Sequence, residues 1–262
     1  MKFRKTKIHS SDLASGHKSH KKLWVSLSVF TVILLLPVLL LGWMGLVPGL
    51  SNLMGSANPK DLGVRYSQSD VTTYKQKTSI QFKDYTMAPV NPNNPTEKLL
   101  LANPTSVPQL NLSQEEIMAM INFNNWSWMP VENIQVRLTE GIVEISGSLN
   151  VDRIEEFREY ISGGGNLDPD ATNAINWAKR LRNNAPIYIK ANASISNNVL
   201  SFTLLQAQIG RLSIPLGNIG DDLSSGTTAN INSDHFSASS AKLTSGTLQF
   251  SGTYPATIYI KK

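Results

Sequence analysis

Residues 136–149 read Val-Arg-Leu-Thr-Glu-Gly-Ile-Val-Glu-Ile-Ser-Gly-Ser-Leu, and this stretch decides the fold. On each side of Glu140-Gly141, apolar side chains alternate with polar ones, which is the pattern of a strand with one buried face. A glycine between two such runs allows a tight turn. The stretch therefore predicts an antiparallel β-hairpin.

A similar pattern returns 105 residues later in the chain. Leu138–Ser148 aligns without gaps with Leu243–Thr253, and five of the eleven positions are identical. The shared glycines would permit a tight turn and, beyond it, a bend or bulge that curves the sheet. Two interpretations are open at this point: a genuine internal repeat, or two hairpins that look alike because hairpin turns use similar residues.

A helix is predicted just before the first hairpin. Ser113-Gln-Glu-Glu116 has the spacing of a capping box, in which the two outer side chains bond to backbone N–H groups of the first turn. Ile117, Met120 and Ile121 then lie on one helical face. These signals predict a helix over residues 113–124.

The C-terminal region continues this mixture of helices and strands. Residues 151–182 predict two helices, the second opening at Asp168-Pro169, after which strands resume. Residues 217–240 are rich in Gly, Ser and Asp and predict a loop, before a last hairpin at 241–260. The sequence thus predicts an α+β domain over residues 111–262, with a curved antiparallel sheet packed on one or more helices.

Residues 49–110 predict a stalk or linker with limited structure. Six prolines punctuate this region, and Asn91-Pro-Asn-Asn-Pro95 is a strong breaker of regular structure. Within the stalk, Thr78–Phe82 alternates like a short strand.

An apolar segment precedes the stalk. No charged residue occurs from Leu23 to Pro59. Trp24 and Trp43 would lie roughly 28 Å apart along a helix, near the thickness of about 30 Å of a hydrocarbon core. The sequence predicts an uncleaved transmembrane helix over residues 23–48, with these two indoles at the membrane interfaces. A cleaved signal is less compatible because the run is too long, and a soluble helix is rarely apolar on every face.

The charge of the chain is concentrated in its tail. Residues 1–22 carry seven Lys or Arg and one Asp, a net charge of +6, whereas the remainder has a net charge of −1. A basic flank stays in the cytoplasm, so the C-terminal domain is predicted to lie outside it, in the cell envelope. Membrane lipids are the expected partners of the tail and anchor. With a net charge of −1, the remainder of the chain lacks the excess of basic residues that is typical of proteins that bind nucleic acid.

The chain offers no recognisable catalytic or metal-binding constellation. It has no cysteine, which rules out disulfides and thiolate chemistry. The segment from Asp168 begins like a calcium loop, but Asn173 and Lys179 stand where Gly and Glu are required. His235 is the one histidine outside the tail. The sequence therefore predicts a protein that is not an enzyme and has no cofactor and no metal site.

Trp126, Trp128 and Met129 are the candidate ligand-binding residues. Two indoles and a thioether lie between Asn and Pro residues, just before the first hairpin. The structural interpretation is a hydrophobic plug under that hairpin. The functional interpretation is a groove mouth or membrane-dipping edge, because indole combines apolar area with a polar N–H group.

Three stretches of the chain resemble a known family. They are LSQEEIMAMIN at 112–122, VRLTEGIVEISGSL at 136–149 and the strands of 186–216, in which IGRLSIPL is the closest match. Together with the predicted anchor they are similar to the YpmS-like family of bacterial membrane-anchored proteins of uncharacterised function. This resemblance implies an anchored envelope protein and supplies no catalytic residues. A remoter likeness is to tubular lipid-binding (TULIP-type) domains, where a curved sheet wraps a helix around an apolar groove.

We therefore expect a single-pass membrane-anchored binding module outside the cytoplasm. Its ligand would be a lipid or an amphipathic envelope molecule held between the helix at 113–124 and the sheet. The alternative is a non-catalytic structural or interaction protein of the cell envelope, which would bind another envelope protein.

Overall fold

The computed structural model describes residues 35–44, 47, 49–89, 99–124, 126–162, 176, 184–214, 227–230 and 234–260. The chain divides into two compact units, Met1–Leu40 and Leu41–Lys262. The described part of the second unit is α+β, with a large, mostly antiparallel sheet and a few helices. The predicted fold class is confirmed at this level.

The regular elements of the second unit follow one another in mixed order. The helices are α1 (Gln68–Thr78), α2 (Gln114–Asn124) and α3 (Ile154–Ser162), with one turn of helix at Leu50–Leu53 and 3₁₀ turns at Tyr85–Met87 and Val151–Arg153. The strands are β1 (Gln81–Asp84), β2 (Leu99–Ser113), β3 (Val131–Thr139), β4 (Ile142–Leu149), β5 (Ala185–Ser196), β6 (Val199–Ile209), β7 (Leu212–Ser213), β8 (Thr227–Asn230), β9 (Ser237–Thr244) and β10 (Thr247–Ile260).

The sheet consists of two antiparallel groups joined by a short pairing. Strands β3, β4, β5 and β6 form a meander in that order, and β9, β10 and β2 form the second group. The groups join where Ile195 and Ser196 of β5 pair with Ala241 and Ser240 of β9. Strand β1 runs parallel to the end of β10, and β7 and β8 pair with β6.

The two similar hairpins have the same hydrogen-bond register. Val136 pairs with Ile145 in the first, and Ala241 pairs with Phe250, each 105 residues later, in the second. The register of the first hairpin shifts between Glu132 and Gln135, opposite Gly147, and that of the second shifts at the aligned glycine, Gly252. The predicted bulges at the shared glycines are therefore confirmed.

The turns of the two hairpins also bond to each other. The N–H of Gly141 donates to the carbonyl of Leu243 at 3.0 Å, and the N–H of Gly246 donates to the carbonyl of Leu138 at 2.9 Å. Leu138 aligns with Leu243, and Gly141 aligns with Gly246. The two bonds are therefore equivalent: in each, the turn glycine of one hairpin donates to the aligned leucine of the other. This reciprocity, together with the equal registers, supports the interpretation as a genuine repeat.

Helix α2 begins as its capping box predicts. The N–H of Ser113 donates to Glu116 Oε2 at 3.0 Å, and the N–H of Glu116 donates to Ser113 Oγ at 3.2 Å. Met118 of this helix is 2% exposed and packs on Val136 and Leu138 of β3. Burying a side chain of this size contributes about 2 kcal/mol, so the helix is held on one face of the first hairpin by its apolar side.

The prediction of limited structure for residues 49–110 is wrong where this region is described. Val71 and Tyr74 of α1 are buried, and Lys77 Nζ lies 2.7 Å from Glu116 Oε1 of α2. Strand β2 pairs with β10 along most of its length, and the whole region belongs to the second compact unit. The prolines misled the prediction because Pro104 and Pro108 lie in β2, which pairs on one side with β10, and an edge strand tolerates a missing N–H.

Residues 58–66, named here the strap, pass over the polar face of the first hairpin at Leu62 and reach its α2 face at Val64. The N–H of Leu62 donates to Gln135 Oε1 at 2.8 Å, and its carbonyl accepts a bond from Arg137 Nη1 at 3.4 Å. Leu62 is 3% exposed, and Val64 reaches the cluster around Met118. The strap therefore buries a face of the sheet that the sequence pattern marks as polar.

Several sequence predictions concern residues outside the described part of the chain. Residues 35–43 are helical, but residues 23–34 of the predicted transmembrane helix, with Trp24, lie outside it, as does the helix predicted to open at Asp168. In the described residues no helix has the length and apolar character needed to cross a membrane. The loop predicted at 217–240 is wrong at Thr227–Asn230, which pairs with β6, and at its end, where β9 begins at Ser237.

Candidate functional site

Four aromatic rings, named here the aromatic stack, follow one another beyond the C-terminal end of α2; the last three are stacked, and Phe82 is tilted by 59° to Trp126. The ring centroids are 5.6 Å apart for Phe82 and Trp126, 5.6 Å for Trp126 and Trp128, and 6.1 Å for Trp128 and Phe157. The two indoles are inclined by 16°, and Trp128 and Phe157 by 10°. Each pair of this kind adds about 0.5–1.5 kcal/mol beyond the area that it buries.

The loop between α2 and β3 brings the two indoles together. The N–H of Met129 donates to the carbonyl of Trp126 at 3.0 Å, which closes a tight turn. The carbonyl of Pro130 accepts a bond from the N–H of Asn150 at 2.7 Å, which ties the loop to the chain that follows β4. The stack thereby joins β1, this loop and α3.

The predicted site residues are largely buried. Trp126 is 8% exposed and Trp128 is 9% exposed, and both pack with Ile260 at the end of β10. Most of their surface is therefore packed against other side chains, among them residues of β1, β10 and α3. Trp126 and Met129 differ from Trp128, however, because they also line a cavity.

The cavity beside Trp126, named here the Trp126 cavity, has a volume of about 360 Å³. Its lining combines apolar and polar side chains from α2, the loop, β3, the strap and the 3₁₀ turn before α3. The apolar members are Tyr66, Ile121, Trp126, Met129, Val131 and Ile134, and the polar members are Asn122, Glu132, Asn133 and Arg153.

An ion pair fixes the polar part of this lining. Arg153 Nη1 lies 3.1 Å from Glu132 Oε1, and the two side chains are 27% and 32% exposed. Asn150 Nδ2 donates to the same Glu132 oxygen at 3.0 Å, and Arg153 also donates to the carbonyl of Met129 at 3.4 Å. The pair therefore presents a positioned donor and a positioned acceptor at the edge of the cavity.

No sequence motif singles out Asn122, Glu132 or Arg153 as site residues. Asn122 accepts a bond from the N–H of Ile134 at 3.0 Å and donates to its carbonyl at 2.8 Å. Ile134 lies in the bulge of β3, where the ladder to β4 is interrupted, so this amide replaces the missing strand partner. Gly147, which aligns with Gly252 of the second hairpin, is the sequence signal for this bulge, and the unpaired residue lies opposite it.

The indole N–H of Trp126 is a buried donor. Among the described residues no acceptor lies within hydrogen-bond distance of its Nε1. A buried donor left unsatisfied costs about 1–3 kcal/mol. Because Trp126 lines the cavity, an acceptor bound there is one way in which this cost would be removed.

A second polar cluster lies under the strap. Arg137 Nη2 bonds to both oxygens of Glu144, at 2.7 and 2.8 Å, and the Tyr188 hydroxyl donates to Glu144 Oε2 at 2.6 Å. Burial opposes ionisation of Glu144, but the bonds from Tyr188 and Arg137 outweigh it and lower the pKa of this carboxyl. Burial, followed by the bond to Glu144, raises the pKa of Tyr188 to about 12. The cluster connects β3, β4 and β5.

The remaining predicted residues are dispersed. Trp43 is 51% exposed, and the guanidinium carbon of Arg211 lies 5.4 Å from its ring centroid. Asp168, Asn173 and Lys179 lie outside the described residues. Among those that are described, no three His, Asp or Glu side chains are grouped so that they could hold a metal ion.

Known proteins give no guide to the function, so a functional assignment depends on the contacts of the Trp126 cavity and the other clusters described above. No protein-family model, no curated protein and no solved structure matched the chain. The resemblance to the YpmS-like family stays a prediction that rests on the three sequence stretches.

Proposed function

We propose that this chain is a single-pass membrane protein whose domain outside the cytoplasm binds a small amphipathic molecule in the Trp126 cavity. Part of a lipid, or of a lipid-linked envelope precursor, has the required character. The role is binding and not catalysis. The observation that carries the proposal is the combination of apolar side chains and a positioned ion pair in one cavity lining.

The chemistry of the lining supports an amphipathic ligand. Ile121, Trp126 and Met129 supply apolar surface, and a thioether beside an indole adapts to irregular hydrocarbon shapes. Glu132 and Arg153 supply an acceptor and a donor for a polar group. A purely apolar ligand would leave this pair desolvated without new partners, which is costly.

The size of the cavity limits the ligand. Its volume of about 360 Å³ lies near the lower end of the range of roughly 300–1,000 Å³ for small-molecule sites. We therefore propose that the cavity takes a small molecule or one end of a longer one.

The sequence supports the membrane part of the proposal. The uncharged run from Leu23 to Pro59 and the +6 tail favour a transmembrane helix over residues 23–48, with Trp24 and Trp43 at the interfaces and the N-terminus in the cytoplasm. We further propose that the sheet curves at the bulges of its two hairpins. Protease added to intact cells should then digest the domain; a domain that survives would contradict the topology.

Ligand retention by the full-length chain tests the binding function. The protein is extracted from membranes in mild detergent, and bound small molecules are measured by native mass spectrometry and after solvent extraction. Arg153→Ala removes the cation of the cavity lining, and Arg158→Ala is its control, because the Glu155–Arg158 pair of α3 does not belong to that lining. We expect Arg153→Ala to lower occupancy about tenfold, as loss of a charged hydrogen bond does, and Arg158→Ala to leave it unchanged.

Two outcomes would contradict the proposal. The first is a wild-type protein that retains no small molecule, and the second is an equal loss of occupancy in the Arg158→Ala control. Recovery of a stable envelope protein in place of a small molecule would favour the alternative role as a structural or interaction module.

A further inference from the structure

A second cavity, named here the cationic cavity, lies within the unit Leu41–Lys262. Its volume is about 300 Å³, and its lining comes from residues 55–60 and 208–211. Lys60 and Arg211 are the charged residues of this lining, and Asn58 and Gln208 add amide groups. In the part of the chain that the structure describes, neither cation is within ion-pair distance of a carboxylate.

Contacts other than ion pairs hold the two cations in place. Lys60 Nζ lies 3.7 Å from the ring centroid of Tyr188. Arg211 Nη2 donates to the carbonyl of Met54 at 3.2 Å, and its backbone N–H donates to the carbonyl of Met44 at 3.1 Å. Both side chains are therefore positioned by neutral partners, so their charge remains available to an anion.

Exposed apolar side chains, named here together the apolar patch, occur on the segments next to this cavity. Leu41, Trp43 and Leu53 are 41%, 51% and 84% exposed. Ser56 lines the cavity, and its hydroxyl donates to the carbonyl of Gly42 at 2.6 Å, which holds the helical segment with Leu41 and Trp43 beside the cavity. The guanidinium of Arg211 over the Trp43 ring connects the two surfaces directly.

We propose that the cationic cavity binds the phosphate group of an anionic phospholipid. A phosphate presents several acceptor oxygens to the guanidinium, ammonium and amide donors, and the apolar patch would lie in the membrane interface, with Trp43 at the level of the headgroups. A free phosphate offers the same acceptors but makes no use of the patch. The inference rests on the membrane anchoring of the proposed function and is independent of the Trp126 cavity.

A pair of matched substitutions distinguishes binding at this site from the general effect of the net charge of the chain. Asn58→Asp places a negative charge in the lining, and Asn52→Asp makes the same change at an exposed position outside it, on the one-turn helix. The full-length chain in detergent is titrated with phosphatidylglycerol and with phosphatidylcholine, and bound lipid is counted by native mass spectrometry.

We expect the wild-type chain to prefer phosphatidylglycerol by about fivefold or more, since each basic residue near an anionic headgroup contributes about that factor. Asn58→Asp should lower this preference about fivefold, because it leaves the basic tail unchanged, whereas Asn52→Asp should keep the preference within about twofold of the wild type. Equal affinity for the two lipids, or equal effects of the two Asp substitutions, would overturn the inference.

Two further measurements keep the test decisive. Arg211→Gln should also lower the preference about fivefold, and its thermal unfolding midpoint shows whether the domain remains folded; a folded variant with wild-type preference overturns the inference. Inorganic phosphate that displaces the lipid at low millimolar concentration would overturn the lipid assignment in favour of a free anion. A chain found outside membranes refutes the anchor, whereas an anchored chain without lipid preference refutes the cationic cavity alone.

Discussion

The two aligned hairpins, β3–β4 and β9–β10, have the same strand register, but different parts of the chain cover their faces. Glu144 and Arg137 of the first pair across its strands, and the aligned residues of the second are Gln249 and Lys242, which also pair. Glu144 is 4% exposed, while Gln249 and Lys242 are exposed. The register alone therefore does not decide burial, since the strap covers one polar face and leaves its counterpart in solvent.

This difference shows why the first hairpin carries a charged cluster. A face that is covered by another segment must pair its polar groups, because an unpaired buried charge is strongly destabilising. Glu144 bonds to Arg137 and Tyr188, and the strap residue Leu62 accepts a further bond from Arg137. The exposed counterparts in the second hairpin are solvated and need no such partners.

The bulge glycines give the largest expected effect. A Cβ atom at Gly252 would lie 2.1 Å from the carbonyl oxygen of Ser237, and the residue has a φ of +152°. We expect Gly252→Ala to cost about 3–5 kcal/mol of unfolding free energy in a urea titration followed by tryptophan fluorescence. At Gly147 a Cβ atom would lie 2.6 Å from a Val131 methyl and 2.9 Å from the carbonyl oxygen of Glu132, so Gly147→Ala should cost about 2–3 kcal/mol.

A glycine without neighbours provides the control for that comparison. Gly63 has a φ of +73° and no atom within 4 Å of a Cβ built on it, so Gly63→Ala measures backbone strain alone, about 1 kcal/mol. If Gly252→Ala costs no more than Gly63→Ala, the close approach at the bulge does not constrain the fold.

Substitutions on the covered and on the exposed polar face should differ less in their effect on the free energy of unfolding. Glu144→Ala leaves the buried hydroxyl of Tyr188 and the Arg137 guanidinium without their acceptor, and we expect a cost of about 2 kcal/mol. Gln249→Ala removes an exposed side chain at the aligned position and should change stability by less than about 0.5 kcal/mol. Chemical denaturation measures both. Equal costs would mean that the strap does not desolvate the first hairpin.

The smallest effect concerns alkaline pH. The folded pKa of Tyr188 is raised to about 12, whereas an unfolded tyrosine ionises near pH 10. A raised pKa gives stability that is complete below about pH 10 and is lost as the pH rises towards about 12. We expect Tyr188→Phe to lose less stability than the wild type between about pH 10 and pH 12, after an initial cost of about 1.5 kcal/mol at neutral pH.

A tyrosine of the second hairpin serves as the comparison. Burial also raises the pKa of Tyr254, and its hydroxyl donates to the carbonyl of Thr78 at 2.8 Å, so no carboxylate contributes. Tyr254→Phe should therefore reduce the loss of unfolding free energy at alkaline pH less than Tyr188→Phe does. The reverse order would show that Glu144 does not interact with Tyr188 as the geometry indicates.

Local chemistry made part of the fold predictable. The capping box at Ser113–Glu116, the turn at Gly141 and the bulge at Gly147 each depend on residues close in sequence. The prediction failed for residues 49–110, where α1 packs on α2 and Lys77 meets Glu116, 39 positions away. No local pattern of prolines distinguishes a stalk from an edge strand, since both accept a missing N–H.

The candidate site was predictable only in outline. Trp126 and Met129 were singled out by their residue types, and both line the Trp126 cavity. Glu132 and Arg153 were not, because their pairing depends on the 3₁₀ turn after β4 returning to the bulge of β3. Trp128 is placed in the middle of the aromatic stack instead of in the cavity lining.

The sequence by itself determined the capped helix, the two hairpins with their bulges and the charge asymmetry of the chain. These features follow from backbone conformation and side-chain periodicity over a few residues. The tertiary structure decided which polar face is buried, where the strap lies and which side chains surround each cavity. Those outcomes depend on contacts such as that of Leu62 with Gln135, 73 residues apart. Such contacts form only when the whole sheet is assembled.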